Sequence, residues 1–600
     1  MKKTFARLLP YLRGHGRLVT VMVVTGLIGG AADIIFPLFQ RYAINTFVVG
    51  NTTEGLGLFT ACYLLVLAVQ VLTNYISALD ACKVEMYVGR DLKREGFNHL
   101  QTLSFDYFNR NSVGYIHARV MSDTDRIASL VSWSLIQAVW SGIYIAGAIA
   151  AMLSIHWELA LWTLAAVPVI MALSVFFQKK LLGMNRQVRE MNSRITGALN
   201  EGIIGAPTVK TLAAEEKTAG EFEELTGEMR RLAVGTERTR SLYKSLTVFT
   251  ASVALALVLW RGGVLTESGL MMLGTLSAFM TYAQGLTDPI QDLIESVTSL
   301  IAAQVNVERF CDLMDTRSEV KDSPEVIAKY GDSFEPKKEN WEPLEGDIEF
   351  EDVTFRYPDG EVNVLEHFNL KVPKGTTVAI VGETGAGKST LVNLLCRFYE
   401  PTGGRVLIDG RDARERSQLW LHSHIGYVLQ TPHLFSGSVW ENLRYGNPEA
   451  TEEQVRAAVA AVAAEEIVAR LPEGYDTDLG EGGGSLSTGE KQLLSIARAV
   501  LADPAIFVLD EATSSVDTET EEKIRIATEK LMQGRTSFVI AHRLSTIRHA
   551  DVILVVHDGA IVERGCHREL MEAKGIYYGL YTRQFREEQE HSSREALKSL

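Results

Sequence analysis

Long apolar runs fill the first half of the chain, whereas the second half alternates short apolar runs with polar segments. Six of the long runs reach the roughly 20 mostly apolar residues that a membrane-spanning helix needs. They lie at 18–45, 56–80, 132–155, 159–179, 245–265 and 272–297, and the last becomes polar halfway along. The pattern therefore predicts an α-helical membrane domain with six transmembrane helices, followed by a soluble α/β domain.

Positive charges predict how these spans are oriented. The loop 46–55 and the turn 156–158 contain no Lys or Arg, whereas the segments 80–130 and 178–244 are rich in basic residues. Because Lys and Arg concentrate in cytoplasmic loops, both termini and both long segments are expected in the cytoplasm. The long segments have helical patterning, so we expect the spans to continue as helices well past the bilayer.

The segments outside the spans complete the domain plan. The first residues are basic and mildly amphipathic and lack the features of a cleaved signal, which predicts a helix on the inner membrane surface. A later polar tract contains three prolines and is typical of a linker. We therefore expect an interfacial helix, a membrane domain, a linker, a soluble α/β domain and a charged tail at 1–16, 17–315, 316–345, 346–585 and 586–600.

Composition excludes some classes of protein. The formal net charge of −15 argues against a general nucleic-acid binder, which needs a basic face. The five cysteines are an odd, dispersed set without metal-ligand spacing, which is not a disulfide framework. A reducing compartment is expected for the bulk of the chain.

A phosphate-binding pattern follows the short apolar run Val378–Val381. The pattern G-x-x-x-x-G-K-S stands between this predicted strand and the helical pattern of 391–398, which is its required context. Backbone N–H groups and the helix N-terminus wrap the phosphates of a nucleotide, Lys388 neutralises the β- and γ-phosphates, and Ser389 ligates Mg²⁺. The predicted ATP-binding residues are Gly382, Glu383, Thr384, Gly385, Ala386, Gly387, Lys388, Ser389 and Thr390.

A second apolar run, 505–509, ends in the carboxylates Asp510 and Glu511. A buried strand of this kind places both at its carboxyl end, where ligands of α/β sheets bind. We expect Asp510 to hold Mg²⁺ through water and Glu511 to act as the general base on the attacking water. Acidic strand ends are common, so this pair indicates a nucleotide site only because a phosphate loop precedes it in the chain.

These features together resemble an ABC exporter half-transporter, in which a membrane domain is fused to an ABC ATPase domain, over nearly the whole chain. The resemblance implies a head-to-tail dimer with ATP between one subunit's phosphate loop and the other's signature loop. It assigns Tyr357 to adenine stacking, Gln430 to sensing Mg²⁺ and the membrane domain, Asp517 to the D-loop, and catalytic His542 to the γ-phosphate. Taken singly, Tyr357 also fits an ordinary strand-end aromatic residue, Gln430 a solvated loop residue and His542 a core histidine.

The signature position carries the sequence LSTGE where the usual form of this family is LSGGQ. Ser487 and Gly489 are kept, and they grip the γ-phosphate of the partner's ATP in this family. Thr488 adds a Cβ atom and Glu490 adds a negative charge, although a glutamate is also favourable in a first helical turn. Either this variant is tolerated in an active homodimer, or the chain pairs with a different half-transporter and the two ATP sites are unequal; we favour the heterodimer.

Two acidic features bear on the transported substrate. Asp33 lies inside the first span, where carboxylates are costly and by default functional, or else pair with a polar group of a neighbouring span. Asp288 and Asp292 share one helical face in the sixth span. That stripe either lines an inward-facing cavity or is a solvated, salt-bridged face.

The resemblance implies ATP-driven export of amphipathic small molecules, drug-like or lipid-like, by alternating access. The expected location is the plasma membrane, with a multi-pass chain and a cytoplasmic ATPase domain. The expected cofactors are ATP and Mg²⁺, and the expected partners are a second half-transporter, the lipid bilayer and the substrate. A lipid or peptide flippase or exporter on the same scaffold, or an ATP-gated channel, are the alternatives.

Overall fold

The computed structural model describes residues 5–383, 385–510, 518–541, 547–583 and 585. The chain divides into two units. The helical unit comprises the chain up to Leu100 and Val113–Thr316, and the second unit comprises Gln101–Ser112 and the chain from Arg317 onward.

Long helices build the first unit. Their apolar residues recur all round the helix over most of a bilayer thickness, as in helices that cross a membrane. Five of them are long and apolar enough to cross a membrane: α2 (Gly16–Val49), α3 (Leu56–Leu100), α5 (Val113–Ile155), α6 (Trp157–Ile204) and α8 (Glu215–Glu267). The other helices of the chain up to residue 315 are α1 (Leu9–Gly14), α4 (Phe105–Arg110), α7 (Ala206–Thr211), α9 (Leu273–Gly285) and α10 (Thr287–Asp315).

The sixth predicted span does not form one long apolar helix. The helix α9 ends at Gly285 and α10 begins at Thr287. Pro289 has no N–H to donate to the carbonyl of Gly285, which explains the break at this point. Since α9 has 13 residues and α10 is polar, neither qualifies as a span by itself, and the count of six spans stays a prediction.

Glycines bring α2 into close contact with its neighbours. A Cβ atom on Gly30 would lie 2.3 Å from Cγ2 of Ile143, and one on Gly147 would lie 2.1 Å from Cδ1 of Ile34. Neither distance is possible for real carbon atoms, so α2 and α5 pack at a separation that side chains at these two positions would prevent.

The basic N-terminal segment is anchored to the ends of two long helices. The guanidinium of Arg7 pairs with the carboxylate of Asp315 at 2.5 Å, at the end of α10. Nε2 of His15 lies 2.8 Å from Oδ2 of Asp91 on α3. This segment is therefore held by ionic contacts to helix ends that the charge pattern predicts to be cytoplasmic.

The second unit contains two β-sheets and surrounding helices. Its strands are β1 (Ile348–Phe355), β2 (Leu365–Val372), β3 (Thr377–Val381), β4 (Gly403–Ile408), β5 (Arg411–Asp412), β6 (Ile425–Val428), β7 (Ile506–Asp510), β8 (Thr536–Ile540), β9 (Val552–His557) and β10 (Ala560–Gly565). Its helices after residue 315 include α11 (Pro324–Tyr330), α12 (Lys388–Leu395), α13 (Gln418–Ser423), α14 (Val439–Arg444), α15 (Glu452–Ala461), α16 (Glu465–Arg470), α17 (Thr488–Ala502), α18 (Thr518–Met532) and α19 (His567–Ala573).

The tract predicted as a linker is folded against the second unit. Val326, Tyr330 and Leu344 are buried in the same hydrophobic core as β1 and β2. The carboxylate of Asp322 pairs with the buried guanidinium of Arg397 at 2.7 Å. The tract is therefore attached to the second unit through a few buried apolar side chains, although most of its residues are exposed.

Strand order brings the predicted site residues to one edge of the larger sheet. The order is β10-β9-β3-β8-β7-β6, and the strands from β9 to β6 run parallel. In register, Ile380 pairs with Ile540, Ile540 with Asp510, and Leu509 with Val428. The carboxyl ends of β3, β7 and β6 therefore open on the same side, where ligands of parallel sheets bind.

The segment Gln101–Ser112, which contains α4 and lies between α3 and α5 in the chain, belongs to the second unit. The ring of Phe105 in α4 stacks on Phe398 with centroids 4.7 Å apart. Nδ2 of Asn109 donates a hydrogen bond to the hydroxyl of Tyr399 at 3.1 Å. A short segment between two membrane helices is thus packed beside the helix that follows the phosphate-binding loop.

Candidate nucleotide site

Two glycines shape the loop between β3 and α12. Gly382 follows the last residue of β3, and a Cβ atom there would lie 2.2 Å from the carbonyl oxygen of Val556 on β9. Gly387 is the N-cap of α12 and has a left-handed φ of 102°. Glycine adopts this conformation without strain, and it alone tolerates the close approach at Gly382. The first N–H groups of α12 have no intrahelical acceptor and are available to an anion.

The side chain of Lys388 is bound to the backbone of this loop. Its side chain is only 8% exposed, and its Nζ donates hydrogen bonds to the carbonyl oxygens of Gly382 at 2.7 Å and Glu383 at 2.9 Å. Burial lowers the pKa of Lys388, and the carboxylate of Asp510 acts against that shift. The ammonium is thus held at the mouth of the loop, between the loop carbonyls and the end of β7, where it can transfer its hydrogen bonds to phosphate oxygens.

The aromatic residue predicted to stack on adenine is fixed to the phosphate-loop helix. The hydroxyl groups of Tyr357 and Thr390 lie 3.0 Å apart. The Tyr357 ring packs edge-on against Phe355 and Tyr399, with centroids 4.9 and 5.1 Å away. Thr390 is buried, and its predicted contact with ATP stays a prediction.

Three oxygen donors expected at the magnesium ion lie at the same sheet edge. Ser389 is exposed in the first turn of α12, Asp510 ends β7, and Gln430 is exposed two residues after the end of β6. Hydroxyl, amide and carboxylate oxygens are the donors that Mg²⁺ prefers. The residues present therefore fit a magnesium ion that accompanies a nucleotide.

Four predicted site residues lie outside the described residues. They are Thr384 of the phosphate loop, the expected general base Glu511, Asp517 of the D-loop and His542. Their neighbours Glu383, Asp510 and Ala541 are described, and strand register places Asp510 and Ile540 side by side.

The signature residues form the start of α17. Ser487 is the N-cap, and its hydroxyl oxygen accepts a hydrogen bond from the N–H of Glu490 at 3.3 Å. Ser487 and Thr488 are exposed, whereas Gly489 is buried. The first N–H groups of α17 and the exposed Ser487 and Thr488 form a surface that suits an anion supplied from outside this chain.

The negative charge of Glu490 is bound within its own chain. One carboxylate oxygen accepts the N–H of Ser487 at 2.8 Å, which completes a capping box. The guanidinium of Arg470 pairs with the other oxygen. Burial alone raises the pKa of Glu490, but these hydrogen bonds outweigh it and the net pKa is lowered. The carboxylate is therefore ionised and already paired at neutral pH.

The acidic residues predicted to bear on the substrate lie in the membrane unit and differ in their surroundings. Asp33 in α2 contacts α3 and α5 through its carboxylate. Asp288 is exposed and Asp292 is half-buried in α10. Within the described part of the chain, neither aspartate of α10 makes a side-chain hydrogen bond or an ion pair, which does not match a salt-bridged face.

Sequence reasoning missed the partners of several predicted residues. Arg470 and Glu490 are 20 positions apart and meet only in the tertiary fold. Gln70 and Trp140, which hold Asp33, were not singled out, although a glutamine inside an apolar span is a visible signal.

The fold and the site define an ATPase with a phosphate loop, joined in one chain to long membrane-type helices. Residues 19–290 match the family model of the ABC transporter transmembrane region, and residues 365–514 match the ABC transporter family model. The chain therefore belongs to the ABC transporter family. It is a half-transporter of the exporter type, an ATPase coupled to transport, and exporters of this type act as dimers.

Similar proteins are found over most of the chain. An ABC transporter ATP-binding protein of Bacillus subtilis is 33% identical over 585 residues, covering 97% of this chain and 94% of the relative. A protein of the same organism, named a probable multidrug resistance ABC transporter ATP-binding/permease protein, is 38% identical, covering 86% and 74%. A fatty acid ABC transporter ATP-binding/permease protein of Mycobacterium bovis is 39% identical, covering 81% and 75%.

A solved structure has the same fold over nearly the whole length. It is a bacterial Atm1-family ABC exporter with ATP bound, with a TM-score of 0.75 and 27% identity. The match covers 96% of this chain and 98% of that one.

Proposed function

We propose that this transporter exports amphipathic small molecules by alternating access, driven by ATP hydrolysis between two ATPase domains. The observation that carries the proposal is the phosphate loop around Lys388, in the same chain as five long apolar helices. The orientation favoured by the positive charges puts both termini and the ATPase domain in the cytoplasm, with the chain in the plasma membrane.

Each residue at the sheet edge has a defined task in this proposal. Lys388 and the N–H groups of α12 bind the phosphates, Tyr357 stacks on the adenine, and Ser389, Gln430 and Asp510 hold Mg²⁺, which supplies charge neutralisation when bound. Glu511 takes the proton of the attacking water and His542 contacts the γ-phosphate. Asp517 belongs to the loop that crosses the dimer.

The proposed partner is a second, different half-transporter. Ser487 and Thr488 are exposed at the start of α17, where they and the backbone of Gly489 would meet the partner's ATP. Since Glu490 is paired with Arg470, the inequality of the two ATP sites rests on Thr488, whose exposed side chain stands where the family usually has glycine. This chain keeps Lys388 and Asp510 and would supply the active site's machinery.

Two kinds of amphipathic cargo are distinguished by charge. The relative named as a multidrug resistance protein favours drug-like molecules, and the relative named as a fatty acid transporter favours lipid-like ones. Asp288 and Asp292 would line the inward-facing cavity and favour cations.

A substrate panel in inside-out vesicles tests this proposal. We expect ATP-dependent uptake of an aromatic cation such as ethidium, and weaker uptake of a fluorescent fatty acid, because the intramembrane acidic residues repel its carboxylate. Neutralising Asp288 and Asp292 together should slow ethidium uptake and spare a neutral dye. Faster uptake of the fatty acid would favour the lipid exporter, and dye flux that runs without ATP hydrolysis would favour a channel.

A further inference from the structure

Asp33 lies near the middle of the first span and is held by two neutral donors. Nε1 of Trp140 on α5 donates to Oδ2 of Asp33 at 2.9 Å, and Nε2 of Gln70 on α3 donates to Oδ1. A carboxylate has about four acceptor positions. Two neutral partners therefore orient Asp33 and leave part of its hydrogen-bonding capacity unused, on a side chain that is half-buried rather than enclosed.

No basic side chain of the packed spans balances this charge. The helices in contact with α2 around Asp33 contain no Lys, Arg or His between 56 and 79, 135 and 155, or 273 and 285. On α2 itself the next charged residue is Arg41, eight positions on, or about 12 Å along the helix axis. A carboxylate at this depth needs a cation or a proton, and the described part of the protein offers it no cation.

Aromatic rings continue from Asp33 along the contact between α2 and α3. Phe36, one turn from Asp33, packs edge-on against Tyr63 with centroids 5.4 Å apart. Phe39 packs on Phe59 and Tyr63 at 5.5 and 5.7 Å. Tyr63 is partly exposed. This contact between α2 and α3, here called the seam, thus places the anionic Asp33 beside a row of aromatic rings. Both features attract an aromatic cation.

We propose that Asp33 binds the cationic head of an amphipathic substrate, with the aromatic body of that molecule along Phe36, Phe39 and Tyr63. Trp140 and Gln70 are positioning residues that hold the carboxylate toward this seam. The inference rests on the proposed export of amphipathic molecules and adds the place in the membrane where the charge of a cationic substrate is recognised.

Equilibrium binding to the purified dimer in lipid nanodiscs tests the site without turnover. The probes are methyltriphenylphosphonium and triphenylphosphine oxide, which share three phenyl groups and differ in charge. We expect Asp33→Asn to weaken binding of the cation about tenfold or more, since it removes the negative charge that attracts the phosphonium, and to change binding of the neutral probe less than about twofold. Glu54→Gln removes the same charge from an exposed loop and should change neither affinity.

Asp33→Glu keeps the charge and guards against a merely structural effect, because it should retain the preference for the cation. Equal losses for both probes in Asp33→Asn, or no loss for the cation, would overturn the proposal. A wild-type dimer that binds the cation through Asp33 yet accumulates nothing with ATP would contradict the proposed export instead. A wild-type dimer that exports neutral amphipaths and does not distinguish the probes would contradict only the Asp33 site.

Discussion

The interpretation of Glu490 in the signature loop changes once its hydrogen-bond partners are known. In sequence it adds a negative charge beside a phosphate; in the structure its carboxylate caps α17 and pairs with Arg470. Its pKa is lowered, so this capping contributes to folding above the usual glutamate range and is lost as pH falls through the folded-state value. Glu490 therefore stabilises the helix end that we propose meets the partner's nucleotide.

Substitutions at the Arg470–Glu490 pair test this role. Arg470→Ala leaves an unpaired negative charge at the signature helix, and we expect the half-saturating ATP concentration for closure of the ATPase domains to rise about two- to fivefold. The double variant Arg470→Ala/Glu490→Gln should restore it, because the amide keeps an acceptor for the N–H of Ser487 and carries no charge.

Closure is measured by energy transfer between labels on the two ATPase domains, in a Glu511→Gln background that blocks hydrolysis. Arg456→Ala is the matched control, since Arg456 pairs with Glu452 on an exposed helix face. A double variant as impaired as Arg470→Ala alone would show that the charge of Glu490 is not the cause.

At the scale of elements, the phosphate loop and the sixth span show what sequence can and cannot predict. The loop is local: strand, glycines, Lys388 and helix are contiguous, so pattern alone predicts its shape. The break between α9 and α10 depends on Pro289 within an otherwise plausible apolar run. The pairing of Asp33 with Gln70 and Trp140 depends on helix packing, which periodicity does not encode.

The short helix α4 lies between two long helices in the chain and belongs to the second unit. We expect Phe105→Ala to lower the amount of substrate transported per ATP about two- to tenfold, because it removes a stacked ring contact to Phe398. ATP hydrolysis should stay within about twofold of wild type, since Lys388 and the sheet edge are untouched.

Transport and hydrolysis are measured together in the same proteoliposomes. Phe108→Ala removes a ring of the same helix that packs on Tyr107 and serves as the control. Equal losses of hydrolysis and transport in Phe105→Ala would indicate damage to the ATPase domain rather than lost coupling.

At the scale of the whole molecule, we propose that each nucleotide binds between residues of two chains. The phosphate loop and the signature helix both occur in this chain, and exporters of this type act as dimers. If the partner differs, the purified chain alone should hydrolyse ATP slowly, and Glu511→Gln should remove nearly all turnover of the pair. Robust ATPase activity and transport by the chain alone would contradict the heterodimer.

We propose that ATP hydrolysis by the assembled dimer drives an amphipathic molecule uphill across the membrane. Accumulation of an aromatic cation in proteoliposomes whose ATPase domains face outward tests this proposal. We expect accumulation above the external concentration that requires ATP, is lost in Lys388→Ala and persists in the exposed-surface control Lys374→Ala. Equilibration without accumulation, or accumulation unchanged by Lys388→Ala, would contradict it.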